Sequence, residues 1–214
     1  MMQRFFSPNS PLMKVMKWIE RMFHVQFLWI LYSLRGLVVA GLFPATAAMF
    51  ATMRRLIRIP GGFGLNDYFK KEYKANFKKA NGLGYLLVIL LFLFILNFRS
   101  AQLMEGTAGM IFVILSFVMI VVLFLLLISS WGVMAHYELG ILEIIKHTLI
   151  IFSVNPLHVV LLLISLVVFG WASWRLGILL PLVLFSMLAY IVMWLVYDAA
   201  NRASGRTETD EEKE

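Results

Sequence analysis

The sequence predicts an all-α polytopic membrane protein, a bundle of about five transmembrane helices with amphipathic interfacial helices, and three observations carry that reading. Hydrophobic residues make up 61% of the 214 and charged residues only 14%, with mean hydropathy +0.85, far from the composition of a soluble domain. The tracts 86–96, 110–128, 157–171 and 178–197 are apolar without a break. They lack the alternation of barrel strands, so only helices can satisfy their backbone in lipid. At roughly 20 residues per crossing, the length holds five or six spans and no separate soluble domain.

The expected organisation is one helical membrane domain, 1–198, followed by a disordered acidic cytoplasmic tail, 199–214. At the start, Ser10-Pro11 is a helix-initiating pair. Lys14, Lys17, Glu20 and Arg21 then fall opposite Val15, Ile19, Met22 and Phe23, the pattern of a helix lying on a membrane surface. A first span is expected over about 25–43, ending at Pro44 in a stretch rich in small residues; the remainder of that stretch, to Arg58, is too short to cross again. Ala45-Thr46-Ala47 loosely imitates a signal-cleavage site, but the basic region before it is too long and Arg35 interrupts the apolar core.

Arg35 is the one ionisable residue well inside an apolar tract, where a charge costs roughly 2.5–3.5 kcal/mol. Two readings stand side by side. It is an intramembrane functional arginine, or the span starts at Gly36 and Arg35 snorkels to the interface.

The segment 66–81 comes next. Asn66 is placed to cap a helix on which Phe69, Tyr73, Phe77 and Ala80 form a stripe, with Lys70, Lys71, Lys74 and Lys78 on other faces. An apolar stripe flanked by lysines suits a bilayer with anionic headgroups; it also suits docking of a cytoplasmic partner. No nucleic-acid-binding fold accompanies it, so nucleic acid is not an expected partner.

Span two (about 82–98) and span three (about 108–134) flank a loop with Arg99 and Glu105. In 135–156 a polar face of Glu143, Lys146 and His147 makes the first half interfacial, and Asn155 and Pro156 open span four. Span five ends near Tyr197. Pro44, Pro156 and Pro181 break helices near or inside the bilayer; transporters expose backbone to substrates at such breaks, although bending is the commoner outcome. Glu143 and His147 lie four apart, but two ligands without a third do not make a metal site. Beyond Tyr197, six carboxylates oppose three cations without apolar anchors, a composition that does not fold.

Eight Lys and Arg side chains in 54–79 against one in 99–107 place the first of these loops in the cytoplasm. Five spans then put the N-terminus outside despite Arg4, Lys14, Lys17 and Arg21. If 20–53 were instead two membrane-entering pieces broken near Arg35 or Pro44, both ends would come inside. The chain has no cysteine, which removes disulfides, thiol catalysis and thiolate metal sites. It also shows no nucleotide-binding motif, acid–base pair or nucleophile constellation, so the expectation is a non-enzymatic protein without cofactors.

Over 28–58 and 67–87 the chain resembles the YesL-like family of bacterial membrane proteins, a domain of unknown function. The resemblance rests on Leu28-Trp29, Gly36, the run from Gly41 to Ala48 with Pro44-Ala45-Thr46-Ala47, and Phe77-Lys78-Lys79-Ala80-Asn81 leading to Gly84. It implies about five spans, the bacterial cytoplasmic membrane, and a frequent setting beside carbohydrate ABC transporters. The function it motivates is an accessory or permease-like subunit for oligosaccharide uptake, with permease or ATPase subunits as partners. A small independent transporter or channel using Arg35 and Pro44, or a lipid-organising structural protein, is the alternative.

Overall fold

The computed structural model describes residues 10–59, 63–176 and 185–198. The expected tail at 199–214 and Pro181 lie outside them.

Helix α1 spans Pro11–Arg35. Ser10 caps it, its hydroxyl accepting from the Met13 amide at 3.2 Å, and Pro11 occupies the first turn, where a missing N–H costs nothing. The helix runs unbroken through the expected junction between surface helix and first span. It stops at Gly36, the chain reverses, and α2, Leu42–Arg58, returns. The expected span 25–43 is therefore replaced by a helical hairpin, broken beside Arg35 as in the two-piece alternative.

The reversal is tight. Leu37 and Val38 adopt positive φ, 56° and 62°, a conformation L-residues rarely take. The Val38 amide donates to the Ser33 carbonyl at 2.9 Å. A Cβ on Gly36 would stand 2.2 Å from the Gly41 Cα, so the two arms of the turn meet backbone to backbone. Pro44 does not break a helix here. It sits in the first turn of α2, where its missing donor removes no intrahelical bond.

Residues 44–53 of α2 are all buried, packed among α1, α3 and α4. Ala45, Ala47, Ala48 and Ala51 let the neighbouring backbones approach closely. Trp29 Nε1 donates to Thr46 Oγ1 at 3.1 Å, tying the arms of the hairpin together.

Helix α3, Leu65–Ala101, has 37 residues. At 1.5 Å per residue it is about 55 Å long, nearly twice the hydrocarbon thickness of a bilayer. The basic segment and span two are thus one helix, whose first half extends past the apolar stretch. Asn66 does not cap it. Gly64 holds that position, and Asn66 Oδ1 instead meets His24 Nε2 at 2.7 Å.

Helix α4, Gly106–His136, runs antiparallel to α3: Ser116 Oγ donates to Asn97 Oδ1 at 2.7 Å toward the end of α3, and Met134 and Ala135 line a cleft with Tyr68 and Glu72 from its start, where the Arg54 guanidinium of α2 donates to the Ala135 carbonyl. Helix α5 covers Ile141–Val154. Asn155 ends α5, and α6, Pro156–Leu176, begins at the proline, as expected for a span opened by that pair. Helix α7, Phe185–Asp198, is fastened by the Ser186 amide donating to Gln26 Oε1 at 2.7 Å and by a 3.0 Å hydrogen bond between His158 Nε2 and Asp198 Oδ2.

Helices α3, α4 and α6 are long and apolar enough to cross a membrane, and α7 is a shorter apolar helix. The fold is that of an all-α membrane protein. Its hairpin gathers the cations: Lys17 and Arg21 share a cavity with Leu56 and Ile57, and Arg55 lies 4.3 Å over the Tyr68 ring. The start of α1, the end of α2 and the start of α3 therefore share one basic end, which removes the conflict that five spans created for the N-terminal charges.

Candidate functional site

The stripe Phe69, Tyr73, Phe77 and Ala80 is not free to lie on headgroups. Phe69, Tyr73 and Ala80 are buried; the Tyr32 ring packs on Phe69 at 5.3 Å and on Tyr73 at 4.9 Å between centroids. The hairpin covers the stripe that the sequence offered to a lipid surface or a docking partner. Lys70, Lys71, Lys74 and Lys78 remain exposed on the opposite side, so α3 presents a cationic face without an apolar one beside it.

The structure places Arg35 at the last residue of α1, exposed, with its guanidinium carbon 5.2 Å from the Tyr32 ring centroid. There it complements the negative end of the helix dipole. Arg35, Pro44 and the lysines lie on α1, α2 and α3, and Asn155-Pro156 forms the junction of α5 and α6. Glu143 is used locally, accepting the Gly140 amide at 2.8 Å. Among the described residues no three His, Asp or Glu side chains group to hold a metal ion.

What the structure does assemble is a polar cleft of about 160 Å³ between α2, α3 and the end of α4. Arg54, Tyr68, Glu72, Asn76, Lys79 and Glu138 line it above a floor of alanines. Asn76 Nδ2 donates to Glu72 Oε2 at 3.1 Å. Arg55 stacks on one of the lining residues, 4.3 Å over the Tyr68 ring, and lies 4.7 Å over Phe63. The sequence reading missed this site, although its signal was present: Tyr68, Glu72, Asn76 and Lys79 recur at spacings of four, four and three, one residue out of step with the apolar stripe. Charges of both signs and hydroxyl and amide groups equip the cleft for polar contacts with water or a small solute.

Residues 22–98, holding most of α1, all of α2 and nearly all of α3, match the family DUF624, described as a protein of unknown function. The chain carries a YesL-like domain. In Bacillus subtilis (strain 168), the uncharacterized protein YesL is 31% identical over 140 residues, 65% of each chain. YteU, also uncharacterized, is 37% identical over 79 residues, 37% of this chain and 36% of its own. YesV, uncharacterized as well, is 27% identical over 132 residues, 61% of this chain and 62% of its own. The alignments thus span less than two thirds of these relatives. No solved structure matches the chain.

Within the YesL-like domain, the residues that carried the resemblance meet in space. Trp29 reaches Thr46, Gly36 abuts Gly41, and Asn81 Nδ2 donates to the Ala40 carbonyl at 3.0 Å. Gly84 leaves room for the Phe43 ring, whose Cγ would stand 2.4 Å from an added Cβ. The domain is a hairpin docked on the first half of a long helix.

Proposed function

We propose that this protein is a non-enzymatic accessory subunit of a multi-pass assembly in the bacterial cytoplasmic membrane, and that it engages its partner through the basic end of the bundle. The observation that carries the reading is the state of α3. Its apolar stripe is consumed by the hairpin, while Lys70, Lys71, Lys74 and Lys78 stay exposed on a helix projecting beyond the apolar stretch. A rigid cationic rod of this kind favours an acidic protein surface through charge complementarity, which speeds encounter and sets orientation. The YesL-like resemblance supplies the setting, an ABC system for oligosaccharide uptake, with a permease or ATPase subunit as the partner.

Affinity purification of the tagged protein from its native host in mild detergent tests the reading. Transporter subunits should be recovered with it. Recovery of the protein alone, with oligosaccharide uptake unchanged in a deletion strain, would overturn the proposal. The same lysines also suit attraction to anionic headgroups at the membrane surface, but that role lacks the free apolar stripe it would need for anchoring.

A further inference from the structure

A second cavity, of about 430 Å³, lies at the basic end between the first half of α1, the end of α2 and α7. Lys14, Lys17 and Arg21 occupy one wall at spacings of three and four, so all three project from one face of α1. Leu56 and Ile57 of α2 add apolar lining. Trp18 and Tyr190 close the space, packed edge to face at 5.5 Å. The volume falls within the range of ordinary ligand sites.

The mixture of cationic and apolar lining narrows the ligand. A soluble anion would need the cations and would gain nothing from Leu56, Ile57 and the two rings. A neutral apolar molecule would make no use of the three positive charges. An amphiphile with an anionic head matches both kinds of lining, and Trp and Tyr suit the headgroup level of a bilayer. The surroundings agree: Leu12, Met16, Ile19, Phe23 and Phe27 are all exposed on α1, recurring at spacings of four, three, four and four. This apolar stripe, unlike that of α3, is uncovered along the same helix that bears the cavity's cations.

We infer that the cavity between α1, α2 and α7 binds an anionic phospholipid, its phosphate held by Lys14, Lys17 and Arg21 and its glycerol and upper acyl region against Trp18, Tyr190, Leu56 and Ile57. The amphipathic helix facing the lipid is then α1 rather than the basic part of α3. Basic pockets between membrane helices recognise acidic headgroups in this manner.

The test uses the purified full chain in mild detergent, titrated with phosphatidylglycerol, phosphatidylcholine or inorganic phosphate and followed by native mass spectrometry and thermal shift. Phosphatidylglycerol should bind one per chain and raise the melting temperature, with phosphatidylcholine and inorganic phosphate much weaker. The triple variant Lys14→Gln, Lys17→Gln, Arg21→Gln should lose about 100-fold in affinity, about fivefold per cation. Lys14→Gln, Lys17→Gln alone serves if the triple variant fails to fold, with a loss of about 25-fold by the same reckoning. Replacing Lys70, Lys71, Lys74 and Lys78 with Gln should leave binding unchanged. Equal binding of phosphatidylcholine, binding of phosphate alone at similar strength, or an equal loss in the α3 variant would each overturn the inference.

Discussion

Asn81 Nδ2 donates to the Ala40 carbonyl at 3.0 Å and, from the same nitrogen, to the Phe77 carbonyl one turn back. This one amide joins the middle of α3 to the reversal between α1 and α2. Tyr85 adds a second tie, its hydroxyl donating to the Val39 carbonyl at 2.9 Å. Both partners are carbonyls of a turn whose own hydrogen bonding is irregular, so neither helix could hold the hairpin tip in register by its regular ladder. Asn81→Ala should therefore destabilise the protein by about 1–2 kcal/mol, the cost of a lost hydrogen bond and an under-satisfied carbonyl. Tyr85→Phe, at a more exposed position, should cost less. Thermal unfolding of the detergent-purified variants checks the ranking; equal stability of Asn81→Ala and the parent would show that the tie is not needed.

The turn makes a sharper demand at its glycines. A Cβ on Gly41 would stand 2.4 Å from the Ser33 carbonyl oxygen, and one on Gly36 is blocked by the backbone of Gly41. Neither obstacle is a flexible side chain that could rotate aside. Gly36→Ala and Gly41→Ala should each cost about 3 kcal/mol through forced backbone displacement. Gly170→Ala is the matching control in α6, where an added Cβ meets nothing within 4 Å; it should be neutral or slightly stabilising. Monodispersity on size exclusion and melting temperature separate the two outcomes.

How much of this was legible in the sequence depended on the signal each residue type can give. The apolar tracts were plain because lipid leaves the backbone no choice but helix, and α4, α6 and the junction at Asn155-Pro156 lie where those tracts and that proline put them. The hairpin was harder to see. Leu34, Leu37, Val38 and Val39 are apolar and exposed at its tip, so they extend the hydrophobic run through a chain reversal. Nothing local in a leucine and a valine announces positive φ. The stripe on α3 was read correctly as a stripe, but period alone does not say whether a helix or a lipid surface covers it. The polar cleft required knowing that α2 and the end of α4 converge on Tyr68 and Glu72, a tertiary fact.

The hairpin also fixes an expectation for topology. If α1 and α2 enter and return on one side, Leu12 and Lys71 lie on the same face of the membrane and Leu103, between α3 and α4, lies on the other. All three positions are exposed, and the chain has no native cysteine to give background. Single substitutions Leu12→Cys, Lys71→Cys and Leu103→Cys in intact cells should react with a membrane-impermeant maleimide only at 103, the first two reacting after permeabilisation. Labelling of Leu12→Cys in intact cells would return α1 to a crossing role.

Stability and partner recognition should come apart at the basic end. Arg54 donates from its guanidinium to the Ala135 carbonyl, in the last turn of α4 where carbonyls lack intrahelical donors. A charged donor satisfying such a group is worth about 1.5–3 kcal/mol. Arg54→Leu should cost that much and loosen the end of α4 over the cleft, visible as faster amide exchange around 133–137. The exposed lysines of α3 do no comparable work inside the molecule. Changing Lys70, Lys71, Lys74 and Lys78 to Gln should alter stability by less than about 0.5 kcal/mol per site, yet remove the co-purifying partner if the cationic face is the docking surface. An α3 variant that melts with the parent and still recovers the same subunits would place recognition elsewhere on the bundle.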